Sequence, residues 1–284
     1  MASQRILLAV ALLTQSPALL AHPGIGIVMD DRGNVYYTDL EQVWRITPEG
    51  ERTVAVPDVH THQLYLDAAG ALHGQHEWYE EATDTWGYYV WRLGRDGELR
   101  KTVPDVQGNN TLVRDPAGNT YWSSRTGEGV RVMVTDTAGW DRQLTRHRFR
   151  DIRWMHWSTD RNTLLVVDHL QVKEVGAGGA VTTIGDGLKE EGPSFGGVAD
   201  RHYVFGTWTD RVGSVYVAVY GAGKVRRIDR AGRMTTVYTA PEGWSPCGGL
   251  VAPDGALWVM EFSQGNRTRV RRVGVEGEQA VFWE

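Results

Sequence analysis

The chain has 284 residues, with 34 glycines, 12 tryptophans and 11 tyrosines but only 10 prolines and one cysteine. Glycine supplies positive φ and aromatics favour half-buried pleated surfaces, so the mixture suits many short strands joined by tight turns and excludes a helical bundle. A hydrophobic share of 41% excludes wholesale disorder and a multi-span membrane protein, and a net charge of −5 with no Lys/Arg run longer than Arg271-Arg272 argues against nucleic acid as a partner.

In chain order, Arg5 precedes an apolar stretch from Ile6 to Leu13, and small residues follow to Ala21. One basic residue, a short apolar segment and a small-residue exit describe a secretory signal over residues 1–21, too short for a membrane span. Export to a periplasm or beyond is expected, with cleavage after Ala18 or Ala21. Cys247 has no partner for an intramolecular disulfide, so stability must come from burial.

From Gly26 onward a unit recurs: apolar strand, Asp-containing turn with Gly, second apolar strand. It runs Gly26-Ile27-Val28-Met29-Asp30-Asp31-Arg32-Gly33-Asn34-Val35-Tyr36-Tyr37-Thr38-Asp39 in its clearest form. Copies follow around Asp67 to Gly70, Asp115 to Gly118, Thr159 to Asn162, Asp210 to Gly213 and Ala252 to Gly255, 37 to 51 residues apart. Second hairpins turn at Pro48-Glu49-Gly50, Arg95-Asp96-Gly97 and Asp229 to Gly232. Six units of four strands predict an all-β chain, a six-bladed β-propeller of four-stranded antiparallel blades over residues 22–284. The last unit carries all its strands, so closure by blade packing is expected, with a swapped first strand as the alternative.

The pattern at Gly26 to Asp39 resembles NHL repeats and the SMP-30/gluconolactonase/LRE-like propellers. The resemblance extends over residues 22–284 and implies a fold shared by lactonases, an amidating lyase and pure binding modules.

In a propeller blade the start of the first strand and the end of the second share one face. His22, His60, His62, Asn109, Asn110, Arg153, His76, Glu77, Asp168 and Tyr220 fall at such positions. His60 and His62 form an H-x-H pair on a predicted strand, about 7 Å apart and on one side. With His76 and Glu77 they predict a site for a divalent metal ion, zinc or copper rather than calcium. If cleavage follows Ala21, His22 becomes a free N-terminus able to chelate copper, which resembles a histidine brace. His73 points to the opposite side of its strand from His76 and is assigned a structural role.

The resemblance to SMP-30 lactonases implies Asn109 or Asn110 and Asp168 as metal ligands, although His22-Pro23-Gly24 stands where their first-blade Glu is found. The amidating lyase, which binds zinc through histidines, is the nearer match to His60, His62 and His76, and it implies analogues of its Arg and Tyr in Arg153 and Tyr220.

Glu77 or Asp168 is the candidate general base, although a turn-capping role is the stronger expectation for Asp168, and Arg153 would stabilise developing negative charge. Asn110, Trp78 and Tyr220 are candidate substrate contacts. Trp78 and Trp86 flank the acidic insertion Glu80 to Thr85, which is placed to roof the channel. Gly185 to Gly197 is a second candidate lid.

The resulting expectation is an exported, monomeric, metal-dependent hydrolase or lyase acting on a small polar substrate. The alternatives are a non-catalytic binding propeller or, with His22 at the mature N-terminus, a copper-dependent oxidoreductase.

Overall fold

The computed structural model describes residues 23–108 and 111–282. Residues 1–21, where a secretory signal is expected, lie outside the described residues, as do His22, Asn109 and Asn110.

Six antiparallel sheets follow one another in sequence order, each running from an inner to an outer strand. Blade 1 holds β1 (Ile27–Met29), β2 (Val35–Thr38), β3 (Val43–Ile46) and β4 (Arg52–Val56). Blade 2 holds β5 (Leu64–Leu66), β6 (Leu72–Glu80), β7 (Thr85–Leu93) and β8 (Leu99–Gln107). Blade 3 has β9 (Thr120–Thr126), β10 (Gly129–Thr135) and β11 (Asp141–Gln143). Blade 4 holds β12 (Ile152–Ser158), β13 (Thr163–Asp168), β14 (Gln171–Val175) and β15 (Val181–Gly185). Blade 5 holds β16 (Thr207–Thr209), β17 (Val215–Val219), β18 (Lys224–Ile228) and β19 (Met234–Thr239), and blade 6 holds β20 (Trp244–Val251), β21 (Leu257–Ser263), β22 (Thr268–Val273) and β23 (Gln279–Phe282). The expected six-bladed propeller is present. Blade 3 departs from four strands, because its inner segment Leu112-Val113-Arg114 is reduced to the single bridge Arg114↔Thr120 and the bond from Tyr121 N–H to Val113 O at 2.9 Å.

The Asp-x-x-Gly repeat is turn chemistry. Asp30 Oδ1 accepts the N–H groups of Arg32 and Asn34, and Asp67 and Asp210 do the same for the residues two and four positions on. Gly33, Gly70, Gly118 and Gly213 take φ of 84°, 75°, 89° and 77°, the left-handed region that side chains avoid. Six residues after the aspartate, a second-strand side chain reaches back to the other carboxylate oxygen, Oδ2. The pairs are Tyr36 to Asp30 at 3.4 Å, Tyr121 to Asp115 at 2.8 Å and Tyr216 to Asp210 at 3.3 Å. His73 occupies that position in blade 2, 2.9 Å from Asp67, which accounts for its structural role. The Asp67 carboxyl is held at about 2, against a burial penalty, by His73, the Ala71 N–H and Arg92.

Blade 6 is built of consecutive residues, so no strand is lent by the N-terminus among the described residues. Closure rests on packing: a Cβ at Gly248 would lie 2.5 Å from the Ile25 carbonyl oxygen, so blade 6 and the segment entering blade 1 meet backbone to backbone. One apolar cluster spans this seam, with Ile27 and Tyr37 of blade 1 against Met260 and Trp258 of blade 6 and Trp208 of blade 5. Beside it, Glu261 is fully buried and accepts hydrogen bonds from Arg269 Nε at 2.7 Å, Arg271 Nε at 3.3 Å and Tyr238 OH at 2.7 Å.

Candidate functional site

The incomplete inner edge of blade 3 leaves a cleft of about 730 Å³, lined by residues of blades 2, 3 and 4. His62, Gln75 and Glu77 come from blade 2, Arg114 and Trp122 from blade 3, and Arg153 and Trp154 from the inner strand of blade 4. Gln75 and Glu77 sit two apart on β6 and so face the same way; Gln75 Nε2 donates to Glu77 Oε1 at 3.1 Å. His62 Nε2 lies 4.0 Å from Glu77 Oε2. Burial raises the Glu77 carboxyl above its ordinary value, against the opposing pull of His60 and the Gln75 hydrogen bond. This half-buried carboxylate beside an imidazole is therefore primed to take up a proton.

Three polar atoms in the same cleft are buried without a hydrogen-bond partner among the described residues: Gln75 Oε1, Arg114 Nε and Arg153 Nε. Arg114 Nη1 donates to Thr120 Oγ1 at 3.0 Å. Arg153 Nη2 lies 3.3 Å from His202 Nδ1, and burial with the nearby Arg201 charge lowers its pKa. His202 belongs to the segment between blades 4 and 5, which folds into two short 3-10 turns, Phe195–Gly197 and Asp200–His202. The expected lid, Gly185 to Gly197, ends before His202 and contributes no residue to the cleft lining.

The predicted metal ligands are not arranged as expected. Residues 60–63 form no strand, since β5 begins only at Leu64, and the His60 and His62 rings meet edge to face with centroids 4.9 Å apart. The loop is pinned by its backbone: Ile25 and Gly26 both donate to His62 O, and Glu77 N–H donates to His60 O. His60 Nδ1 lies 3.0 Å from Leu40 O, while His76 Nδ1 accepts the His60 N–H at 3.0 Å and its ring stacks on Tyr89. Burial and the neighbouring His60 lower the His76 pKa, favouring a neutral ring. Among the described residues no three His, Cys, Asp or Glu side chains converge as ligands of one ion. The side chains present do not fit the three-histidine centre.

Other predicted residues lie elsewhere. Asp168 is buried outside the cleft lining, and its Oδ1 accepts the N–H groups of Arg150 and Asp151 at 2.8 and 2.9 Å. That is the capping role. Tyr220 is packed between Phe205 and Phe195, and Trp78 lies over Gly87 with its ring outside the cleft lining. The acidic insertion extends β6 and β7 into a pair of nine-residue strands, and near its tip the rings of Tyr79 and the exposed Trp86 meet at a tilt with centroids 4.7 Å apart. Cys247 is buried against Met260 O, and burial raises its thiol pKa. Of the sequence-derived candidates, the cleft brings together His62, Glu77 and Arg153. Gln75, Arg114, Trp122 and Trp154 join them unpredicted.

By sequence, the chain matches no family model and no curated protein. By structure it is similar to virginiamycin B lyase from Staphylococcus aureus, at 16% identity and TM-score 0.52, covering 92% of this chain and 84% of that one. It is similar to a gluconolactonase from Xanthomonas campestris, at 12% identity and TM-score 0.51, covering 93% and 87%. It is also similar to an auxiliary nutrient-binding protein from Bacteroides thetaiotaomicron, at 13% identity and TM-score 0.60, covering 92% and 69%. At these identities the likeness is one of fold, and the three names cover a lyase, a hydrolase and a binding protein. The chain is thus similar in fold to gluconolactonase and virginiamycin B lyase, in keeping with the SMP-30/gluconolactonase/LRE-like propellers that its repeats resemble.

Proposed function

We propose that the protein is an exported, monomeric enzyme that acts on a small polar substrate in the blade 2–4 cleft, as a lactonase-like hydrolase or a lyase. The observation that carries this reading is the raised, half-buried Glu77 carboxylate in a cleft whose Gln75, Arg114 and Arg153 have buried polar atoms without partners. Each such atom costs about 1–3 kcal/mol unless a ligand or water meets it, so the lining is complementary to a polar guest. Glu77 would take a proton from water or from the substrate, with His62 4.0 Å away to share the charge. Arg153 would face the negative charge that develops on an oxygen. Among the described residues no three His, Cys, Asp or Glu side chains converge on the expected divalent ion, zinc or copper rather than calcium, and no step here runs through one. Asn110 and His22, outside the described residues, remain candidates for substrate contact and copper chelation.

The test is turnover of a panel of lactones and esters by the secreted protein and by Glu77→Gln. Loss of a positioned acid–base group lowers kcat by about 10²–10⁴-fold. Full turnover by Glu77→Gln overturns the assignment. If the wild type binds ligand in the cleft but turns over none of the panel, the non-catalytic reading replaces the enzymatic one. Intact-mass measurement checks export, with a mature N-terminus at Leu19 or His22 as the expected result.

A further inference from the structure

We propose that the guest of the cleft carries a carboxylate, held between the guanidinium groups of Arg114 and Arg153; this rests on reading the cleft as the ligand site. Both arginines line the cleft, one from the residual inner bridge of blade 3 and the other from the bulge that opens β12 in blade 4. Neither forms an ion pair with a carboxylate among the described residues, and both bury Nε without a hydrogen bond. Asp151, whose charge Arg153 senses, is already paired with Arg125 at 2.7 Å and Arg201 at 3.7 Å. Among the described residues, Arg114 has the Tyr65 ring under its guanidinium, 5.9 Å from the centroid, and the Thr120 hydroxyl on Nη1. Its other edge, Nε with Nη2, is the one that grips a carboxylate side-on.

Two half-buried cations without an anion are costly, and a single anion between them offsets both. The nature of that anion follows from the rest of the lining. Trp122, Trp154, Leu112, Val113, Ile152 and Met155 give the cleft apolar walls, which an organic acid covers and an inorganic ion does not. Glu77 lies in the same cleft and would repel a phosphate dianion more strongly than a monoanionic carboxylate. The carboxylate end thus sits on the arginines while the remainder of the molecule reaches Glu77.

The experiment is calorimetric titration of the full secreted chain with galacturonate and benzoate, each against its neutral counterpart galactose or benzyl alcohol, and with inorganic phosphate. At least one acid should bind 10-fold or more tighter than its counterpart and tighter than phosphate. Arg114→Gln and Arg153→Gln should each weaken that acid about 10- to 100-fold, the effect of losing a charge-assisted hydrogen bond. Arg114→Lys and Arg153→Lys, which keep the charge, should recover part of it, with circular dichroism confirming that each variant folds. Equal binding of acid and neutral partner, preference for phosphate, no binding by any probe, or unchanged binding in both Gln variants overturns the proposal. Glu77→Gln separates the two readings. Lost turnover with intact, arginine-dependent acid binding supports both. Intact turnover in Glu77→Gln removes the catalytic reading and leaves this one. Glu77-dependent turnover with no acid preference removes this one alone.

Discussion

Glu261→Ala removes the anion from a buried cluster of two cations. Glu261 has no solvent exposure, and the side chains of Arg269 and Arg271 retain 7% and 11% of theirs. Three donors lose their acceptor: the two Nε groups at 2.7 and 3.3 Å and the Tyr238 hydroxyl at 2.7 Å. Arg269 is further clamped by the Trp244 ring, 3.7 Å from its centroid, and is held away from water. Breaking a buried pair from one side costs about 3–5 kcal/mol, because the remaining charge keeps its desolvation penalty and loses its compensation. For a domain of this size each kcal/mol lowers Tm by about 2–4 °C, so the variant should melt roughly 6–20 °C below the wild type. The assay is urea unfolding followed by tryptophan fluorescence and far-UV circular dichroism together, because coincident curves show that the ring unfolds as one unit. Glu261→Gln keeps the volume and one acceptor oxygen, and should fall between the two. A loss under about 1 kcal/mol for Glu261→Ala would mean that the guanidinium groups find water on truncation, refuting the picture of a dry cluster at the closing blade.

Asp168→Ala should lower stability by about 1.5–3 kcal/mol through loss of the cap on Arg150 and Asp151, while Asp168→Asn recovers most of it and keeps turnover; an inactive but stable Asn variant would restore Asp168 to the chemistry. Gly248→Ala forces a methyl to within 2.5 Å of the Ile25 carbonyl at the ring seam and should cost about 1–3 kcal/mol; an unchanged Tm contradicts closure by backbone contact. Glu77 has a folded-state pKa raised above its unfolded value, so wild-type stability falls as pH rises through the folded-state pKa. Glu77→Gln should therefore melt higher than the wild type near pH 7, with the gain shrinking toward about pH 4; a gain that appears only in acid has the wrong sign.

The parts of the fold that were legible in the sequence are those with local causes. Asp30, Gly33 and Tyr36 make their turn with one another, and the same three-part signature recurs in blades 3 and 5, with His73 as the readable substitute in blade 2. The H-x-H pair failed as a strand because its conformation is set from outside: Ile25, Gly26 and Glu77, all distant in sequence, hold the backbone of His60 and His62. The cleft was illegible for a related reason. Leu112-Val113-Arg114 carries the same apolar pattern as the other inner strands, and its failure to pair beyond Arg114↔Thr120 is a tertiary outcome. A signal was nevertheless present in β6, where Gln75 follows three buried residues and is itself buried. In a closed ring an inner polar side chain of that length needs either a partner or a space, and here Gln75, Arg114 and Arg153 face the same space. Among the described residues, the short inner edge of blade 3 and the unpaired polar atoms are thus one feature, since the gap leaves those groups without the neighbours that the other blades provide. Filling that gap is the role proposed for the ligand.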